Sequence, residues 1–282
     1  MSFILTSRTR DRQPDGAAGL SRLGLESGVI SLCYPTCAGL WDAARGVLTT
    51  KTRFTGGLSL GAGPAGRAIV GSHSGDDTYV LAAAPLGAPW TSLARASGTV
   101  FALIRRLGGT SGNAPIFGVM SPSQGPYSAL MLYDASGGGN INLDGSPGGS
   151  YAQLASAAMT IGALDFWVGT YDGAFGRLYK NGVLQFTSGA VSGALTIASG
   201  FDACAMNFGQ GALTRTFNGE FYLGGISPKG WSPAFVAEVS RKPWQLVSAR
   251  SAPVFYSISG APSSAIIASY RMRRPGLSRV WR

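Results

Sequence analysis

Asp165-Phe-Trp-Val-Gly-Thr-Tyr-Asp-Gly-Ala-Phe-Gly-Arg-Leu-Tyr-Lys-Asn-Gly-Val-Leu-Gln-Phe-Thr187 is the stretch whose reading decides the fold. It consists of three short apolar-rich runs cut by two turns, the first on Asp172-Gly173 and the second on Asn181-Gly182. Asn-Gly between such runs is the strongest short-range hairpin signal, because a type I′ turn needs positive φ at both central residues. Side chains alternate along a strand, so Phe166, Val168 and Thr170 share one face of the first run, and Trp167, Gly169 and Tyr171 the other. The two turns predict an antiparallel sheet.

Working outward, the same kind of run recurs. Strands are expected at residues 29–34, 53–60, 68–70, 78–82, 97–105, 116–120, 129–133, 195–198, 204–208 and 220–226, with a short edge strand at 140–143. Turns are expected at Trp41-Asp42 and Arg45-Gly46. Short runs at regular spacing between Gly-rich turns predict a sandwich or barrel rather than alternating helices. One helix is expected near 233–241. Ser232 is its N-cap, Pro233 takes the first helical position, and Phe235 and Val239 share a face. It stops before Pro243, and residues 242–246 are read as extended. The divisions that follow are an N-terminal arm at 1–18, a β-sandwich domain at 19–247 and an extended basic tail at 248–282.

Composition narrows the function. Of 282 residues, 45% are hydrophobic, enough for a large core, while only 13% are charged. A free-standing soluble surface carries about 25–35% charge, so this chain suits a protein whose surface is covered by neighbours. The net charge of +10 is concentrated after Glu238, where Arg241, Lys242, Arg250, Arg271, Arg273, Arg274, Arg279 and Arg282 meet no acid. The charge therefore belongs to a tail, which fits docking on an acidic protein surface; the body lacks the basic face of a nucleic-acid binder. Cys33, Cys37 and Cys204 are an odd set and are read as free thiols, since zinc requires four ligands. No apolar run reaches the 18 residues of a membrane span, and Met1–Arg12 lacks the apolar core of a secretory signal.

No catalytic constellation is found. His73 lies beside Asp76 and Asp77 without a nucleophile signature and is read as a loop histidine. The glycine-rich residues 137–149 lack the strand, following helix and Gly-Lys-Ser/Thr of a phosphate loop.

Three segments carry a family likeness. The run at 97–105, then Val168-Gly169-Thr170-Tyr171-Asp172-Gly173 with Leu178-Tyr179-Lys180-Asn181-Gly182, then Phe217-Asn218-Gly219-Glu220-Phe221, resemble in order the laminin-G-like, concanavalin A-like jelly roll. Lys242-Pro243-Trp244-Gln245-Leu246 resembles the "NPWQLF" segment that closes this domain in proteins of tailed bacteriophages, with Lys242 and Val247 in place of Asn and Phe. The resemblance implies an all-β jelly-roll β-sandwich and a virion structural protein such as a head decoration, fibre or tail component, assembled in the host cytoplasm. Its implied partners are other capsid, neck or tail subunits and further copies of itself, a trimer being the pattern of virion jelly rolls.

A carbohydrate-binding, receptor-binding module for a host surface glycan is the alternative. Glycosidase relatives need paired carboxylates, and Glu26, Glu220 and Glu238 each lack a nearby acid in sequence. Calcium-binding relatives use a rim of Asp and Asn oxygens. Asp134, Asn140, Asn142, Asp144 and Asp202 are the candidates here and are read as turn formers, as are Asp172 and Asn181. No catalytic, cofactor or metal residues are expected. Trp167 and Trp244 are expected in or beside the core.

Overall fold

The structure, a computed structural model, describes residues 13–14, 16–52, 58–72, 78–109, 113–120, 128–135, 139–198, 200–206 and 216–247. Residues 1–12 of the expected arm, the expected tail at 248–282, and His73, Asp76 and Asp77 lie outside the described residues.

In chain order the strands are β1 (Ser31–Thr36), β2 (Gly39–Asp42), β3 (Val47–Leu48), β4 (Thr50–Thr52), β5 (Leu58–Gly63), β6 (Gly66–Gly71), β7 (Thr78–Ala82), β8 (Gly98–Arg106) and β9 (Ala114–Met120). They continue with β10 (Ser128–Asp134), β11 (Asn140–Gly145), β12 (Ala152–Ala158), β13 (Leu164–Tyr171), β14 (Gly176–Lys180), β15 (Val183–Thr187), β16 (Asp202–Ala205) and β17 (Gly219–Ser227). Helix α1 (Arg22–Glu26) precedes β1, and α2 (Pro233–Arg241) follows β17. One antiparallel sheet has ten strands, in the order β15-β14-β13-β8-β17-β1-β2-β3, with the β5–β6 hairpin joined to β17 through β6. The other has seven, in the order β12-β11-β10-β9-β16-β7-β4. The two sheets pack as a jelly-roll β-sandwich, the all-β class expected from the sequence.

The ten-stranded sheet is apolar on both faces. Along β13, Trp167 and Tyr171 enter the core between the sheets, while Phe166 and Val168 belong to a second core on the outer face. On β8, Val100, Ala102 and Ile104 point inward, and Phe101 and Leu103 outward. The inner core includes Phe117 of β9 stacked on Phe221 of β17, ring centres 6.0 Å apart. The outer core is closed by α2. Phe101 stacks on Trp231 at 4.9 Å, and Trp231 meets the edge of Phe235 at 5.0 Å. Such aromatic pairs add roughly 0.5–1.5 kcal/mol each beyond area burial. Ser232 caps α2, accepting from the Phe235 N–H, as its position in the sequence predicts. Trp244 is buried against Tyr34 of β1, ring centres 6.2 Å apart.

Several expectations are corrected. Trp41 and Asp42 are strand residues of β2, because Asp42 is drawn inside as an acceptor for Ser31 Oγ and the Leu32 N–H. Residues 140–143 are not an edge: they belong to β11, which pairs with β10 on one side and β12 on the other. The Ala-rich β12 supplies that cover, and its weak alternation hid it in the sequence. Residues 243–246 form a 3-10 turn rather than an extended run, since Trp244 must turn inward onto Tyr34. Leu195 makes only a bridge, to Pro147. The expected strand at 53–60 is described only from Leu58 onward, in β5, and that at 204–208 only through β16 and Met206.

The two turns of the opening stretch are as read. Asn181 and Gly182 have φ of 51° and 84°. Asn181 Oδ1 accepts from the Phe166 N–H at 2.8 Å, and Asn181 Nδ2 donates to Asp165 at 2.9 Å, so the turn is tied to the start of β13. Asp172 Oδ1 accepts from the Ala174 and Phe175 N–H groups, an Asx turn locked by Arg177. Replacing Asn181 with Ala is expected to lower the unfolding free energy by about 2–3 kcal/mol in urea titrations, through two lost bonds and an unfavourable positive φ. Gln185→Ala on exposed β15 should shift it by less than about 0.5 kcal/mol. A loss no larger than that control would deny Asn181 its structural role.

Candidate functional site

Chemistry gathers on the face of the seven-stranded sheet turned away from the ten-stranded one. Ile141 and Leu143 point into the inner core, so alternation sends Asn142 and Asp144 out on the opposite face. The register sets Asp144 between Met131 of β10 and Gln153 of β12, and Asn142 between Tyr133 and Ser156. Asn142 Nδ2 donates to the Tyr133 hydroxyl at 2.7 Å. Tyr151, just before β12, reaches back to donate to Asp144 Oδ2 at 2.7 Å. Asp144 and Asn142 are only 1% and 4% exposed, yet Asp144 Oδ1 and Asn142 Oδ1 have no hydrogen-bond partner. Burial pushes the Asp144 carboxyl up to about 7, against which the hydrogen bonds from Tyr151 and Tyr133 act. The phenols of Tyr133 and Tyr151 are raised in turn, first by burial and then by the neighbouring carboxyl.

Beyond this polar group, Met120, Met131 and Cys204, with Val80, form an apolar cluster on the same face. Strands β7, β9, β10, β11, β12 and β16 contain no Lys or Arg. This group is legible only once the inward direction of Ile141 and Leu143 is known; residue type alone leaves Asn142 and Asp144 looking like turn formers.

The opposite pole is different in kind. Leu20 bridges to Val247, the last described residue, and the Ser21 N–H donates to the Leu246 carbonyl, so the segment before α1 lies beside the end of the described body. Close by, a cleft of about 760 Å³ opens between the β5–β6 hairpin and the 3-10 turn, lined by Gln13, Pro64, Arg67, Leu103, Leu164 and Trp244. Gln13 holds that hairpin to β1, donating to the Pro35 carbonyl and accepting from the Arg67 N–H. Under the hairpin, Glu220 accepts from Arg105 at 2.6 Å and from the Tyr222 hydroxyl. A side chain at Gly63 would strike Tyr222, which fixes glycine there.

The remaining candidates are dispersed. Asp134 forms a buried ion pair with Arg106 at 2.8 Å, and its carboxyl is raised by burial despite that partner. Asp202 accepts from the Ala84 N–H. Asp134 pairs with Ala114 and Asp202 with Met120, opposite ends of β9, so the Asp and Asn set does not converge on one rim. All five lie in strands, which corrects their reading as turn formers. Cys33, Cys37 and Cys204 are free thiols; burial pushes Cys33 and Cys204 up. Glu26 pairs with Arg22 on the surface, and the Glu238 carbonyl accepts from Gln245. Among the described residues, no three His, Cys, Asp or Glu side chains come together as metal ligands.

No family model matches the chain, and no curated protein does. Solved structures do. A Trypanosoma rangeli sialidase mutant with trans-sialidase activity is similar over 79% of this chain and 34% of its own, with 13% identity and a TM-score of 0.53. The receptor-binding domain of the botulinum neurotoxin C/D mosaic serotype is similar over 76% of this chain and 51% of its own, at 14% identity and TM-score 0.50. Domain 4 of AbnA, an arabinanase of Geobacillus stearothermophilus solved with arabinotriose, is covered entirely by 80% of this chain, at 14% identity and TM-score 0.50. The likeness is one of fold. This chain spans about a third of the sialidase and half of the toxin domain.

The raised Asp144 carboxyl sets a pH dependence. An unfolded aspartate loses its proton near pH 4, whereas the native one keeps it to about 7. The native state therefore binds more protons in that window, and this group's contribution to stability declines as pH rises from about 4 to about 7. Asp144→Asn should gain on the natural protein across that window, by on the order of a few kcal/mol in chemical denaturation. Parallel pH profiles for the two proteins would contradict the assignment.

Proposed function

We propose that the chain is a non-enzymatic structural and interaction protein of a tailed-phage virion, a head decoration, fibre or tail component, docked on neighbouring subunits through its two ends. The observation that carries this reading is the pairing of Leu20 with Val247 on the helix-covered side of the ten-stranded sheet, with Gln13, the first described residue, in the same cleft as Trp244. Segments leaving together from one pole can both reach one neighbour, and the +8 charge after Glu238 suits an acidic partner. The closing segment at 242–246, which resembles that of phage proteins, is packed into this same pole. Association with further copies is supported by the uncharged edge strand β15, whose Val183, Leu184 and Phe186 are exposed. A non-enzymatic role is supported by Glu220 being committed to Arg105 and Tyr222, and by Asp144 having tyrosines and an amide, not a second carboxyl, as its polar neighbours.

A second reading is favoured by the polar row of Asp144, Asn142, Tyr133 and Tyr151: the seven-stranded face recognises a carbohydrate, as in a lectin-like receptor-binding module. The arabinotriose complex of AbnA domain 4 supports it by fold analogy.

Truncation after Val247 tests the first reading. The shortened chain should still melt cooperatively but associate with particles lacking the protein at least about tenfold more weakly, as multivalent attachment predicts. Undiminished association would sink attachment through the tail. For the second reading, an immobilised-glycan array should give a signal with the natural chain that Asn142→Ala reduces; a signal indifferent to that change would move recognition off this face.

A further inference from the structure

Among the described residues, the free edges of the ten-stranded sheet are β15, β3 and β5, and those of the seven-stranded sheet are β12 and β4. An edge strand offers unpaired N–H and C=O groups, and proteins guard it with charge, proline, short length or a bulge. Strands β3 and β4 are two and three residues long. Strand β5 carries Gly61 and Gly63 and one exposed large side chain beyond its first residue, Leu60. Strand β15 is of another kind. Val183-Leu184-Gln185-Phe186-Thr187 has no charge and no proline, and Val183, Leu184 and Phe186 are 64%, 49% and 44% exposed. Its one guard is an irregularity: the register with β14 passes over Gln185, whose side-chain amide donates to the Val183 carbonyl. A bulge bends the strand there and leaves the apolar side chains in the open. The edge is also preformed. Asn181 ties the turn before it to β13, and Gly182 sits so close to α2 that a Cβ would lie 3.2 Å from Ala237 Cα.

Charge selects the occupant. Around β15, Lys180 pairs with Asp165 at 3.0 Å, and Arg177 pairs with Asp172. Strand β12 packs beside β15 on the same flank of the sandwich and has no charged residue either. A surface meets its own image without penalty only where it presents no net charge, because like charges placed opposite one another repel. A foreign partner would be picked out by complementary charge, and this flank offers none. An uncharged strand matches itself when run antiparallel, which is the isologous pairing of a two-fold axis.

We propose that β15 pairs antiparallel with β15 of a second copy about a two-fold axis, joining the two ten-stranded sheets edge to edge with Val183, Leu184 and Phe186 in the seam. This rests on the self-association in the structural reading and gives it a geometry. Each copy has a single β15, so the pairing is saturated at two and closes as a dimer, in place of the trimer that the family resemblance implies. Five residues a side bury less than the roughly 1,200–2,000 Å² of a standard interface, so the dimer is weak and depends on concentration.

Analytical sedimentation of the full chain over a dilution series is the test. The natural chain should pass from monomer to dimer as concentration rises and go no further. Leu184→Lys, which sets a cation near its own image, should weaken dimerisation at least about tenfold. Leu25→Lys, at an exposed position on α1, should leave it unchanged. Mixing Leu184→Lys with Leu184→Glu should restore the dimer, because a two-fold seam brings the two substitutions together. Thermal melts establish that each variant is folded. If Leu184→Lys does not fold, hydrogen exchange in the natural chain decides: amides of β15 should slow as concentration rises, while those of β5 should not. A dimer indifferent to Leu184→Lys, or one without slowed exchange in β15, overturns the β15 seam and leaves self-association to another part of the body. Trimers or an open-ended series overturn the two-fold axis. A natural chain that stays monomeric at the top of the series overturns both the seam and self-association, while attachment through the tail is judged by the truncation alone.

Discussion

Burying both faces of β8, β13 and β17 is the constraint on which this molecule depends. A sheet with a single apolar face needs only one partner layer. Here Phe101, Phe166 and Tyr222 on the outer side need a second cover as surely as Val100, Trp167 and Phe221 need the opposing sheet. Helix α2, Trp231 and the 3-10 turn at Pro243–Leu246 supply it. That cover cannot be built until the chain has completed β17, so the C-terminal part of the body acts as a lock on strands laid down long before it. Close approach is required throughout. On β17, a Cβ at Gly225 would come within 2.4 Å of the Phe101 ring and 2.8 Å of the Ser31 carbonyl oxygen, so two neighbouring strands fix that position as glycine.

The same arrangement gives the molecule two unlike poles. One side of the sandwich carries helices, a proline-lined cleft and the Leu20–Val247 pair. The other is a sheet face without basic residues on all but one of its strands, where a carboxyl, an amide and two phenols stand beside methionines. Strand alternation alone separates the two chemistries: Leu143 and Asp144 are adjacent in sequence and face opposite media.

Where sequence reasoning succeeded, the signal was local. Asn181-Gly182 and Asp172-Gly173 imposed their turns through backbone preference and nearby hydrogen bonds, and Ser232-Pro233 set the start of α2 by capping. Where it failed, the deciding contact was distant. Asp42 reads as a turn residue until Ser31 is brought opposite it, and residues 243–246 read as extended until Tyr34 offers Trp244 a place to turn inward. Strand β12 has small side chains because Leu154 and Ala155 need only fill space left by the inner core, so its amphipathic signal is faint. The Asp144 group required knowing three strands and their register at once, and no spacing rule along one segment contains that information.

The pairing of Leu20 with Val247 has a mechanical consequence. Tension applied between Leu20 and Val247 would be carried first by that bridge and the adjoining Ser21–Leu246 hydrogen bond, before the strands of either sheet. The sandwich then hangs as a pendant beside the load path instead of forming a link within it. A pull on that pair could open those few contacts while the polar sheet face, at the far side of the body, kept its geometry.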